Sequence, residues 1–322
     1  MKRITMLFCT IFICALVFAG CSPENNSHNE KKMDDKVKIV VTTFPLYDWV
    51  RNLAPEAEIT LLMDNGVDLH NYQPSAADII KISNADLFIY VGGESDKWVP
   101  NILEQSQNNK LISLNLLETI GDKALEEEII EGMEDEYEHD HKEEEAEMDE
   151  HLWLSLRNAK ICCLEIEKKL EIIDKNHVDS YQENSSSYIK KIETLNQKFV
   201  DAAKNVKNPI LLFGDRFPFR YFCEDYGLSY YAAFAGCSAE TEASFETITF
   251  LADKVKTLKL GHVCVIEGND TKIAEMIIKE SGSNADILQF YSMQSVYGED
   301  LQKESYLSFM EKNLDALIIA LK

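Results

Sequence analysis

Seven histidines are scattered through this chain of 322 residues, and one of them sits where ligands bind in open α/β sheets. His70 lies in the stretch Asp64 to Ser75, DNGVDLHNYQPS, between an apolar run and a helical pattern. Such strand-to-helix loops form the binding crevices of α/β folds. Gly66 permits a tight turn, and Pro74 and Ser75 punctuate the entry to the helix. A neutral imidazole there can ligate a metal. His139 and His141 form a His-Asp-His triplet inside an acidic run, a pattern that could hold a cation weakly or simply be solvated. His151 follows just past the end of that run. His262 lies on an apolar strand and reads as structural, and His177, at a helix start, as surface.

The elements that would position these groups alternate. Runs 36–43, 59–63, 86–91 and 111–116 have β-strand character, and amphipathic helical patterns separate them. The second half repeats the pattern, with strands at 209–214, 228–234, 262–267 and 285–291. Helices fall there at 217–226, 240–257, 271–281 and 305–321. Alternation of this kind predicts parallel sheets flanked by helices. Between the halves, 176–206 contains neither Gly nor Pro and keeps apolar residues on one face. One helix over that span would run about 45 Å, long enough to join two lobes. The predicted fold class is α/β: two similar lobes, each a four-stranded mainly parallel sheet with flanking helices, joined by one long rigid helix.

The ends and the composition set further bounds. Residues 1–20 have a basic start, a short apolar run and small residues before Cys21, which read as a secretory signal peptide. Phe18-Ala19-Gly20-Cys21 is similar to a bacterial lipobox, so Cys21 is the expected lipidation site and membrane anchor. Residues 21–36 are polar and read as a flexible tether. The N-terminal α/β lobe is expected over 37–158, the helical region with the linking helix over 159–207, and the C-terminal α/β lobe over 208–322. The net charge is −24, but residues 126–150 hold fifteen Asp or Glu and one Lys, contributing −14. That acidic loop is expected to be mobile. The remainder is only mildly acidic, which argues against nucleic acid as a partner. Of eight cysteines, Cys162, Cys163, Cys223, Cys237 and Cys264 lie beyond the signal and anchor. They read mostly as small buried apolar residues and not as a disulfide framework.

Taken in order, these motifs resemble a family. His70 in Gly-Val-Asp-x-His-x-Tyr-x-Pro, His151 in His-x-Trp-Leu-x-x-x-Asn-Ala, and an acidic histidine-bearing insertion before the latter carry the likeness. Ser305 to Met310, then Asn313-Leu314, add to it near the C-terminus. Together, behind a lipobox, they resemble the zinc/manganese-binding lipoproteins of bacterial ABC importers, over about Val37 to Lys322. The resemblance implies two lobes with a metal between them, and His70 and His151 as two of its ligands. The family's third ligand, a His, aligns with Arg216, which cannot ligate; the neighbouring Asp215 can. The fourth, an acid, falls near Ser292 in Tyr291-Ser292-Met293-Gln294. Glu240, Glu242 and Glu267, each at a strand-to-helix boundary, are the other acids that could complete the set, and a site with fewer protein ligands and a water, or a different ligand, is also open. Two imidazoles and a carboxylate suit Zn²⁺ as the transported ion, while more oxygen ligands would suit Mn²⁺.

The function so implied is capture of a divalent metal at the outer face of a bacterial cell membrane and delivery to an ABC transporter permease. A lipid-anchored monomer without catalysis is expected. A receptor for manganese or a non-metal solute on the same scaffold is the alternative. A zinc-dependent hydrolase is the remote one, and the sequence leaves a second role in adhesion open.

Overall fold

The computed structural model describes residues 36–322 apart from 65, 134–146, 208 and 237–241. The first half runs β1 (Lys38–Val41), α1 (Phe44–Leu53), β2 (Glu58–Leu61), α2 (Ala76–Ser83), β3 (Leu87–Tyr90), α3 (Val99–Gln105), β4 (Ile112–Asn115) and α4 (Leu116–Ile120). Two longer helices follow, α5 (Leu156–Ile173) and α6 (Val178–Ala203). The second half runs β5 (Ile210–Phe217), α7 (Arg220–Tyr226), β6 (Ser229–Ala235), α8 (Phe245–Leu258), β7 (His262–Ile266), α9 (Lys272–Ser281), β8 (Asp286–Phe290), α10 (Gly298–Lys303) and α11 (Tyr306–Ala320).

Each half forms one four-stranded sheet, ordered β2-β1-β3-β4 in the first and β6-β5-β7-β8 in the second. Every strand pair in both is parallel. Parallel sheets are covered on both faces, so their strands read as continuous apolar runs and not as alternation. LFIY in β3 and HVCVI in β7 show this, with Leu87, Phe88, Ile89, Val263, Cys264 and Val265 all buried. The two-lobe α/β architecture expected from the alternation is the one observed. Short α10 has no counterpart in the expected elements. Helix α8 begins at Phe245, later than position 240.

Helix α6 is 26 residues long, about 39 Å at 1.5 Å per residue. Its buried face carries Tyr181, Ser185, Tyr188, Ile189, Ile192, Leu195 and Phe199, at steps that follow one side of a helix. The helix starts two residues later than the sequence pattern, because Asp174 closes α5 and bonds the His177 ring and the Tyr181 hydroxyl across the joint. It holds both halves. Asn184 donates to the carbonyl of Leu53 at the end of α1 at 3.1 Å, and Tyr226 of α7 donates to Asn196 at 3.0 Å.

Asp48 of α1 is the polar centre of this junction. It is fully buried and accepts from the Tyr188 hydroxyl of α6 and the Tyr306 amide of α11, each at 3.0 Å. Arg51, one turn along, pairs with it at 2.5 Å. Burial pushes its carboxyl above the usual range, against the pull of Arg51. Cys162, Cys163, Cys223 and Cys264 are buried free thiols, as read from the sequence, and Cys237 lies outside the described residues.

Asp48→Ala would strand two buried donors, the Tyr306 amide and the Tyr188 hydroxyl. At about 1–3 kcal/mol for each unsatisfied group, a loss of roughly 3 kcal/mol is expected in urea unfolding. An unchanged midpoint would show that the junction does not depend on this carboxylate.

Candidate metal centre

His70 and Gln294 come from loops after the C-terminal ends of strands, where open α/β sheets place their crevices, and His151 from the turn that leads into α5. After β2 the chain makes one 3-10 turn, Leu69–Asn71. Asp68 caps it, accepting from the His70 amide at 3.0 Å, which fixes the backbone that carries the imidazole. His151 sits at the start of another such turn, Leu152–Leu154, and its side chain is fully buried. The two rings meet with their Nε2 atoms 3.3 Å apart. Two nitrogens at zinc-bonding distance in a tetrahedron stand about 3.3–3.4 Å apart. The imidazoles are therefore already spaced for one ion.

The far nitrogens decide which atom of each ring faces the crevice. His151 Nδ1 lies 3.0 Å from Asp149 Oδ1, and a carboxylate oxygen can only accept. In its neutral form His151 therefore carries its proton on Nδ1 and turns an Nε2 lone pair inward. His70 Nδ1 lies 3.0 Å from the Ser95 hydroxyl, which donates at 2.5 Å to Glu150. With Glu150 ionised, the Ser95 oxygen accepts from His70 Nδ1–H, so His70 also presents its Nε2 lone pair. Carboxylates behind ligating imidazoles commonly set tautomer and orientation in metal sites.

The charges reinforce this. Burial, the neighbouring His151 and Arg216 push His70 down to about 3 against the pull of Asp68, so its ring stays neutral. Burial also opposes protonation of His151, but the Asp149 carboxylate more than offsets it and holds that ring above its ordinary value. Glu150 is raised to about 7 by burial, despite the Ser95 bonds that favour its ionised form.

The acids named from the sequence are placed differently. Asp215 lies within β5, where the register shifts between Phe213 and Arg216. Its carboxylate accepts from the Ile266 amide at 3.0 Å, Asn269 at 2.8 Å and the Arg216 amide at 2.8 Å. It fastens β5 to the end of β7 and does not join the histidines. Glu267 is likewise committed: it accepts from the Ser292 amide at 2.7 Å, the Ser292 hydroxyl at 3.0 Å and the Met293 amide at 2.6 Å. Glu242 is exposed. Glu240, His139, His141 and Cys21 lie outside the described residues. Among the described residues, no group of three His, Cys, Asp or Glu stands together as a metal cluster.

Gln294 is what meets the imidazoles from the second lobe. Its side-chain nitrogen is 3.0 Å from His70 Nε2 and 2.6 Å from His151 Nε2. The loop after β8 that carries it is bent by Met293, whose φ of 59° is uncommon for a residue with a side chain. The bonds from Glu267 to both Ser292 and Met293 hold that bend. The resemblance marks this segment near Ser292; the amide two residues on reaches the site. In the sequence Asp149 and Glu150 are hidden in the acidic run that they close. The signal was their direct adjacency to His151.

The acidic segment is held at both ends. Glu126 bridges Met148, Glu127 donates to the Glu147 carbonyl at 2.8 Å, and Arg220 and Tyr230 bind Glu128. Arg216 pairs with Asp68 at 3.0 Å, and Gly66 donates to the Val296 carbonyl at 3.1 Å. Trp153 donates to the Ser292 carbonyl at 2.8 Å. The loops of His70, His151 and Gln294 are thus bound to one another.

The model of the family described as zinc-uptake complex component A, periplasmic, matches residues 39–320. A zinc-binding lipoprotein, AdcA, of Streptococcus pneumoniae is 31% identical over 98% of this chain, which spans 60% of that relative's length. The high-affinity zinc uptake system protein ZnuA of Bacillus subtilis is 27% identical, over 98% of this chain and 97% of its own. A crystal structure of the zinc-bound ZnuA-like domain of Streptococcus pneumoniae AdcA superposes with a TM-score of 0.70 at 28% identity, covering 89% of this chain and 99% of that domain.

Asp149→Ala removes the acceptor that orders the His151 ring. Divalent-metal affinity should fall roughly 10–100-fold, the usual cost of losing such a partner. Isothermal titration of the variant beside the unaltered protein would measure it, and equal affinities would show that Asp149 does not position the imidazole.

Proposed function

Because the chain belongs to the zinc-uptake complex component A family, we propose that it captures Zn²⁺ outside the cytoplasm and delivers it to an ABC permease. One observation carries the reading: the Nε2 atoms of two imidazoles converge to 3.3 Å, the edge a tetrahedral zinc site requires. His70 and His151 would be the protein ligands, and the zinc ion is cargo. Nitrogen donors of borderline softness favour Zn²⁺ over Mn²⁺, which prefers oxygen. The work of the site is binding and release, without catalysis.

Residues 1–20 serve in this reading as a signal peptide, Cys21 as the lipidated anchor and 21–36 as the tether. The chain then acts as a monomer at the outer face of the membrane. Residues 37–158 and 208–322 are the two lobes, and His139 and His141 in the acidic loop collect the ion. Release requires the loop contacts around His70 to open, since the long helix between the lobes resists wide hinge motion. The Arg216 to Asp68 pair and the Gly66 to Val296 bond are the fastenings that docking on the permease would loosen.

Protein purified without chelator should carry one equivalent of zinc by elemental analysis, and both His70→Ala and His151→Ala should lose it. Predominant manganese would support the alternative cargo, and retention of zinc by both variants would defeat the assignment. Acid should weaken binding. His151 is the more basic ring, and its raised pKa means that the metal-free form takes up a proton as pH falls, in competition with zinc. Affinity should drop about 10–100-fold between pH 7 and pH 5. A flat profile over that interval would rule out imidazole ligation.

A further inference from the structure

Gln294 is 3% exposed, and its amide nitrogen sits between the two imidazoles. The orientation of the amide follows from the tautomers. In the neutral rings, with Glu150 ionised, both Nε2 atoms present lone pairs, so the group facing them must donate; the amide oxygen in that place would be repelled. The amide nitrogen has two hydrogens, one for each ring. Its oxygen is then left buried without a partner. A buried carbonyl oxygen without a donor is a cost that native structures seldom carry.

We propose that the Gln294 carboxamide is a built-in occupant of the cation position. In the metal-free protein its NH₂ bridges His70 and His151. When the ion arrives, the carboxamide turns over and offers its oxygen as a third ligand. The inference rests on the zinc reading above and adds a device to it. The NH₂ group holds two lone pairs at ligating separation, so the imidazoles need not reorganise on binding. The turn-over satisfies the stranded oxygen.

The same residue sets selectivity. An amide oxygen is neutral and a weaker donor than a carboxylate. Two imidazoles and a neutral oxygen supply no anionic ligand to a dication. Mn²⁺, which depends on anionic oxygen, loses more from this than Zn²⁺. Asp215 and Glu267 do not make up the difference as ligands, being committed to backbone amides and neighbouring side chains, and Asp149 and Glu150 stand on the Nδ1 side of the rings, away from the Nε2 atoms.

The test compares unaltered protein with Gln294→Ala and Gln294→Glu. Zinc association and release are followed by stopped flow, and zinc and manganese affinities by chelator competition. Loss of two hydrogen bonds to the imidazoles should let Gln294→Ala take up zinc roughly tenfold faster. Loss of the oxygen ligand should make it release zinc faster too. Gln294→Glu should narrow the gap between manganese and zinc affinity at least tenfold, an order-of-magnitude expectation for a restored anionic oxygen. Nitrogen-15 spectra of the unaltered metal-free protein at alkaline pH, where neither ring is cationic and Glu150 is ionised, should show both imidazoles protonated on Nδ1, independently of how the variants fold. Normal zinc binding with both rates of Gln294→Ala within twofold of the unaltered protein would overturn this inference alone. Protonation on Nε2 of either neutral ring would also overturn it. Unaltered protein that takes up no zinc would overturn the receptor reading with it.

Discussion

Two nitrogen lone pairs brought within 3.3 Å repel unless something electropositive lies between them. Much of the surrounding structure is explained by that constraint. The Asp149 carboxylate and the Ser95–Glu150 pair hold protons on the far side of the rings. Without them an imidazole could turn its N–H inward and relieve the repulsion, and the site would lose its attraction for a cation. The Gln294 amide hydrogens fill the gap in the metal-free state. Burial keeps bulk water from doing so and keeps His70 neutral, at a pKa of about 3.

Holding such an arrangement requires rigid supports on both sides of the crevice. The α1–α6–α11 junction around Asp48 supplies one. The bonds from Asp215 to the end of β7, and from Glu267 to the loop after β8, supply another. Burial raises Asp215 above its ordinary value and Glu267 to about 7, so these acids are not ordinary surface groups. The backbone amides they accept from oppose that shift. Two acids that could serve as ligands in another context are used to hold the loops that bear the site. The consequence is a centre with few anionic donors, in which ligand type and spacing carry the discrimination.

The alternation of apolar runs and amphipathic patterns determined the α/β class, the eight strands and the long helix. These are local properties: a parallel strand buried on both faces must be apolar throughout, and one side of a helix must repeat every three to four residues. His70 and His151 were also legible, since each lies in a motif whose neighbours shape its turn. Asp68 caps one, and Trp153 docks the other on the Ser292 carbonyl. What the tertiary structure decided was the use of each acid. Asp215 and Glu267 resemble ligands in sequence because they stand at strand ends, but the amide groups they accept from belong to distant residues, Ile266 and Ser292. Asp149 and Glu150 resemble solvated surface because they close an acidic run, yet both are buried behind the imidazoles. Gln294 lies in a segment that the resemblance marks, but the residue itself carried no signal. An amide has no charge and no motif, and its role exists only because folding brings the loop after β8 against two rings more than 140 positions earlier in the chain. Local pattern sets which groups are available; long-range pairing of donors and acceptors sets which of them remain free to meet an ion.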